Sequence, residues 1–142
     1  MLVRCLYASR VVKPLSPSLL DSILEQSSKN NPRLGVTGLL CSTKNVFLQI
    51  IEGGRDEVNQ LFMTIARDDR HSEVQILAFN EVPQRRFSNW TMGQVDIDNI
   101  NCALILKYSE KPELNPFACS GHATMALLDE LVSTGSIVSR SR

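Results

Sequence analysis

The chain has no excess charge of either sign. Fifteen Lys and Arg stand against fifteen Asp and Glu in 142 residues. Nucleic-acid binders carry a basic face and usually a basic total, so the balance argues against direct nucleic-acid contact. Histidine is scarce, with only His71 and His122. None of the four cysteines (Cys5, Cys41, Cys102, Cys119) forms a Cys-x-x-Cys pair, which speaks against a zinc site. Cys5 and Cys41 fall in apolar runs and read as small, reduced core residues. No apolar window approaches the roughly 20 residues of a membrane span. MLVRCLYASR at the N-terminus is too short an apolar run for a secretory signal and holds Arg4 inside it. The expectation is a cytoplasmic protein without membrane contact. An apolar share of 43% is enough to bury a core without staples.

What is present is an ordered series of short periodic segments. Residues 2–9 alternate as a first strand, with Cys5 and Tyr7 on one face. Ser16 and Pro17 open a helix over about 17–28, with Leu19, Leu20, Ile23 and Leu24 as its apolar stripe. Asn30-Asn31-Pro32 reads as its stop, because proline disfavours helical geometry at the residue before it. Residues 35–41 and 46–51 form a hairpin around a polar turn, and 53–54 is Gly-Gly. A helix follows over 56–66, then strands over 73–80 and 90–95. The order βαββαββ predicts an α+β fold: a ferredoxin-like sheet with two helices on one face and one extra strand. Residues 1–97 would form that domain. Residues 98–142 would be a C-terminal helical extension, with a helix from Ser120 to about 132 and a frayed, disordered tail over 133–142.

A ferredoxin-like fold implies no function by itself. Three places look unlike core filler: Tyr7 in the first strand, Gln49 within the apolar run NVFLQIIEGG, and Asn30-Asn31 at the end of the first helix. In this topology the first and third strands are the central pair, which makes Tyr7 and Gln49 neighbours. Together they offer an O–H, an amide N–H₂ and two acceptor oxygens, a set suited to a flat heterocycle met edge-on. Taken singly, each also suits a structural role.

Taken as an ordered set, LYAS (6–9), NNPRLGVTGLL (30–40), FLQIIEG (47–53), RDDRH (67–71) and RRFSNWTM (85–92) resemble the BLUF family, the blue-light sensors that use FAD. The resemblance covers about residues 2–96. It implies that Tyr7 is the redox-active tyrosine, with Gln49 lying between it and the flavin. Asn31, with Asn30 beside it, would hydrogen-bond the carbonyl region of the isoalloxazine ring. Ser9, Ile23 and Ser27 would line the flavin. Arg67, Asp68, Arg70 and His71 would lie near the phosphates. Trp90 and Met92 would be the fifth-strand pair whose position near Gln49 shifts with light. Thr64 stands where some members carry a phosphate-directed arginine, and Thr91 replaces the family serine between Trp90 and Met92.

The resemblance implies a photoreceptor and not an enzyme. Tyr7 would give an electron and then a proton to light-excited flavin. Gln49 would end rotated or tautomerised, with a small, reversible red shift of the absorption. FAD is the expected cofactor, and the ring contacts alone do not exclude FMN. Residues 98–142 leave no room for an effector domain of ordinary size, so the expectation is a short, stand-alone sensor. It would act through a homo-oligomer or a downstream protein partner. The rival reading is a ferredoxin-like interaction or assembly module without a productive photocycle. An acylphosphatase-type hydrolase is disfavoured, because no Gly-rich phosphate cradle precedes the first helix.

Overall fold

Residues 46–53 are buried without interruption, and a strand of that kind needs cover on both faces. The computed structural model, which describes residues 1–12, 15–135 and 137–139, supplies it. In chain order the elements are β1 (Leu2–Val11), α1 (Pro17–Leu34), β2 (Thr37–Ser42), β3 (Val46–Gly54), α2 (Arg55–Ala66), β4 (His71–Val82), β5 (Gly93–Asp96), a 3₁₀ turn (Ile97–Asn99), α3 (Cys102–Leu106), α4 (Gly121–Ser133) and β6 (Val138–Ser139).

The strands form one sheet in the order β4-β1-β3-β2-β5-β6. Its first four members have the ferredoxin-like order, with β1 and β3 antiparallel at the centre. β5 extends the sheet by pairing parallel to β2. On one face Val3, Cys5, Phe47 and Ile51 pack with Leu24 of α1 and Val58 of α2. On the other face Leu6, Leu39, Leu48 and Ile50 pack with Ile105 of α3 and with Leu127, Leu128 and Leu131 of α4. The C-terminal segment therefore shares a core with the sheet, and the alternation of strand side chains sends each set to its own layer.

Three boundaries differ from expectation. α1 does not stop near residue 28; it runs through Pro32 to Leu34. Gly35, at φ 68, returns its N–H to the Asn31 and Pro32 carbonyls, and Asn31 anchors the last turn by donating to the Thr91 carbonyl at 3.1 Å. That cap and that buried bond outweigh the one N–H that Pro32 lacks. β5 begins only at Gly93, so Trp90 to Met92 form a turn. The tail is not all frayed: Val138–Ser139 pairs antiparallel with the otherwise open edge of β5. Positions 136 and 140–142 of that tail lie outside the described residues.

Gly38 has no room for a side chain. A Cβ there would overlap the Ile50 carbonyl oxygen, part of the rigid backbone of β3. Gly38→Ala should cost about 1–3 kcal/mol of stability. The reading would be a lower urea midpoint with an unchanged slope; an unchanged midpoint would contradict the packing.

Candidate functional site

The register places Tyr7 directly opposite Gln49 on adjacent central strands. Both side chains face the layer between the sheet, α1 and α2, and both are nearly inaccessible, at 3% and 5% exposure. Burial forces polar side chains to find partners. The Tyr7 hydroxyl donates to Gln49 Oε1. Gln49 Nε2 donates to Met92 Sδ at 3.4 Å. Phe62 of α2 meets the Tyr7 ring edge-on with centroids 5.4 Å apart. A chain of polar contacts thus runs from β1 through β3 to the segment before β5.

Beside this chain lies a half-open cleft of about 820 Å³, counting its solvent-filled mouth. Ile23, Leu40, Phe47, Leu61 and Ile65 give it apolar walls. Gln49, Asn31, Asn30 and Ser27 add polar groups, and Gln26, Asp68 and Arg70 close in from α1 and the turn after α2. Asn31 is buried, and its amide nitrogen is used on Thr91. An apolar slot with amides at its sheet end suits a flat, polar-edged ring, so these residues fit an isoalloxazine.

Charge at the far side of the cleft is locally balanced. Arg70 donates to Asp68 through Nε at 3.0 Å and reaches Gln26 Oε1 at 2.9 Å. Those Arg70 hydrogen bonds hold the Asp68 carboxyl below its usual range, against the opposing effect of burial. His71 is braced at both ring nitrogens, with Ser9 Oγ at 2.6 Å from Nδ1 and the Ile65 carbonyl at 2.6 Å from Nε2. A carbonyl only accepts, so Nε2 carries a proton.

Tyr7, Ile23, Ser27, Asn30, Asn31, Gln49, Asp68, Arg70 and His71 line the cleft together. Met92 sits behind Gln49 and is buried. Ser9 stands behind His71 and does not line the cleft. Arg67 caps the end of α2 as an exposed residue outside it. Trp90 goes the other way, packing with the layer of α3 and α4. Strand alternation would have put Trp90 beside Met92; the turn separates them. The sequence reading missed Gln26, Leu40, Phe47, Leu61 and Ile65. The stripe of α2, with Leu61 and Ile65 on one face, was the available signal.

Burial pushes the Tyr7 phenol well above the ordinary tyrosine range, with smaller contributions from Cys5 and Asp68. Burial also pushes the Cys5 and Cys41 thiols up to about 12. These groups hold their protons more tightly folded than unfolded. Their contribution to stability is therefore complete below about pH 8.5, the ordinary pKa of an unfolded thiol, and is lost as pH rises above it. Urea melts between pH 7 and pH 10.5 check this prediction, and a flat profile would contradict it.

The described helices include none long and apolar enough to cross a membrane. No cluster of three or more His, Cys, Asp or Glu among the described residues could hold a metal ion.

Comparison with known proteins shows the family. The family described as sensors of blue-light using FAD matches residues 2–93. Photoactivated adenylate cyclase subunit alpha of Euglena gracilis is 31% identical over 99 residues, 68% of this chain and 10% of that protein. The blue light- and temperature-regulated antirepressor BluF of Escherichia coli (strain K12) is 26% identical over 97 residues, 68% of this chain and 24% of that protein. The solved structure of BlsA in its photo-activated state has a TM-score of 0.82 at 30% identity, covering 93% of this chain and 95% of that one. The chain spans only about 10% of the length of the cyclase subunits it matches. The BlsA likeness, in contrast, takes in the C-terminal helices as well as the sheet. With the match running from β1 to the start of β5, the chain belongs to the BLUF family, and it is a blue-light photoreceptor that uses FAD.

Proposed function

We propose that residues 1–97 hold the flavin in the cleft between α1 and α2 and that Tyr7, Gln49 and Met92 turn absorbed light into a changed hydrogen-bond pattern. Bound flavin supplies the blue absorption and, once excited, a strong oxidant. Tyr7 is the donor in this reading, because its hydroxyl already points its proton at Gln49 Oε1. Gln49 is the switch. Its two ends differ, one acceptor and one donor, so reorientation exchanges what it offers to Tyr7 and to Met92. In the reversed orientation its oxygen would face Met92 Sδ, which has no proton to give. The amide then needs a new partner in the cleft, and that requirement couples its state to the ligand. Asn31, Asn30 and Ser27 would orient the ring, while Ile23, Leu61 and Ile65 would exclude water. Arg70, released in part from Asp68, would meet the phosphates.

The continuous contact from Tyr7 through Gln49 to Met92 carries this reading. It describes a sensor without a turnover substrate. Residues 98–142 would carry the output to a downstream protein or a second copy of the chain, since α3 and α4 pack on the sheet face opposite the cleft. The relative BluF is a blue light- and temperature-regulated antirepressor, a role in keeping with output to another protein.

Absorption spectra of the purified protein in darkness and after blue light test the proposal. A small red shift that relaxes in the dark is the expected result. A flavin spectrum that never shifts would overturn the relay. A colourless protein that cannot be loaded with FAD would favour the assembly-module reading.

A further inference from the structure

Glu52 is a carboxylate with no solvent exposure, on the sheet face opposite the cleft. Nothing in the relay uses it. A buried charge persists only where it is paired and hydrogen-bonded. Arg4, its cross-strand neighbour, donates from Nε at 2.7 Å. The other donors belong to the connection between β4 and β5. Arg86 N–H lies 3.0 Å from each carboxylate oxygen, and Phe87 N–H lies 2.7 Å from Oε1. Arg85 reinforces the same loop, reaching Thr37 Oγ1 at 3.0 Å and the Glu52 carbonyl at 3.3 Å.

These bonds clamp the loop five residues before Met92. Two further contacts continue from it. The Arg86 guanidinium pairs with Asp129 of α4 at 3.0 Å. Phe87 is fully buried in the layer that holds Leu127, Leu128 and Leu131. One carboxylate thus fixes the start of the segment that presents Met92 to Gln49, and the same loop touches the C-terminal helix.

Resting on the Tyr7–Gln49 reading above, we propose that Glu52 is a positioning residue that sets how firmly the Trp90–Met92 turn returns to Gln49. It thereby sets the dark-recovery rate and links the turn to α4. Glu52 touches neither Tyr7 nor Gln49, so the light reaction itself does not depend on it. Glu52→Gln keeps the size of the side chain. It weakens both clamps: a neutral amide attracts Arg4 less, and one end now presents donors to donors. Loosened in this way, the turn is held less firmly against Gln49 and rearranges faster.

The experiment measures dark recovery of the flavin absorption in wild type and in Glu52→Gln. It also measures acrylamide quenching of the single tryptophan, Trp90, in the dark-state protein. The variant should keep the full red shift, recover at least about fivefold faster, and show more accessible Trp90 emission. Arg85→Gln, a milder loosening of the same loop from its half-buried flank, should change both readouts in the same direction and serves if Glu52→Gln does not fold. Recovery and quenching within about twofold of wild type, in folded variants that still shift, would overturn the role of Glu52. Loss of the shift in wild type would instead overturn the relay beneath it.

Discussion

Tyr7→Phe should keep flavin bound and lose the light-induced red shift entirely. The ring contributes packing and the hydroxyl contributes the chemistry, and the substitution separates the two. Phe retains the edge-on contact with Phe62 and the buried position between β3 and β4. It removes the one O–H that donates to Gln49 Oε1. Phenylalanine has no proton to release and is a far poorer electron donor than a phenol, so the relay has no first step. The stability cost should be modest, about 1–3 kcal/mol, set by leaving the buried Gln49 oxygen without its donor. A second readout is independent of light. Tyr7 keeps its proton in the folded chain far above the ordinary phenol range. Removing it should flatten the fall in stability above about pH 10, where unfolded tyrosines ionise, and leave the earlier thiol-driven fall in place. A full red shift in this variant would rule out Tyr7 as the donor.

Much of this arrangement is legible in the sequence, for physical reasons that differ between its parts. The central pairing of β1 with β3 follows from strand order, which allows Tyr7 and Gln49 to meet; the register that sets them directly opposite one another is seen only in the structure. Gln49 stands out because a polar amide inside an apolar run needs a buried partner. The end of α1 does not follow, because Asn30-Asn31-Pro32 is a stop signal locally. It is overridden by a distant carbonyl, that of Thr91, and by the cap at Gly35. Trp90 is misplaced for a related reason. Residues 90–95 alternate as a strand would, yet the ladder with β2 starts only at Gly93; before it a single bond, from the Gly38 N–H to the Trp90 carbonyl at 3.1 Å, ties the segment to the sheet and does not impose strand alternation. Arg67 and Arg70 read alike in sequence, and only the turn after α2 shows that one faces the cleft. Glu52 was hidden in plain view. Its charge is explained by donors more than thirty residues away in the chain, which no local pattern announces.

Gln49→Leu should abolish the shift as completely as Tyr7→Phe, and its stability should show why. Leucine fills the space but neither donates nor accepts. The buried Tyr7 hydroxyl then loses its acceptor and Met92 loses the amide that holds it. An orphaned buried hydroxyl costs about 1–3 kcal/mol. If that bond is the reason for the cost, the double variant Tyr7→Phe with Gln49→Leu should not pay it. Both polar partners are then gone, and an apolar pair of the same shape is nearly neutral. Urea melts of the four proteins should give a coupling of about 0.5–3 kcal/mol between the two sites. All three variants should still bind flavin through Asn31 and the apolar walls. Strict additivity would mean that Tyr7 and Gln49 do not depend on one another. A retained shift in Gln49→Leu would mean that the switch lies elsewhere. Coupling together with a lost shift is the pattern required of a bond that both holds the dark state and is rewritten by light.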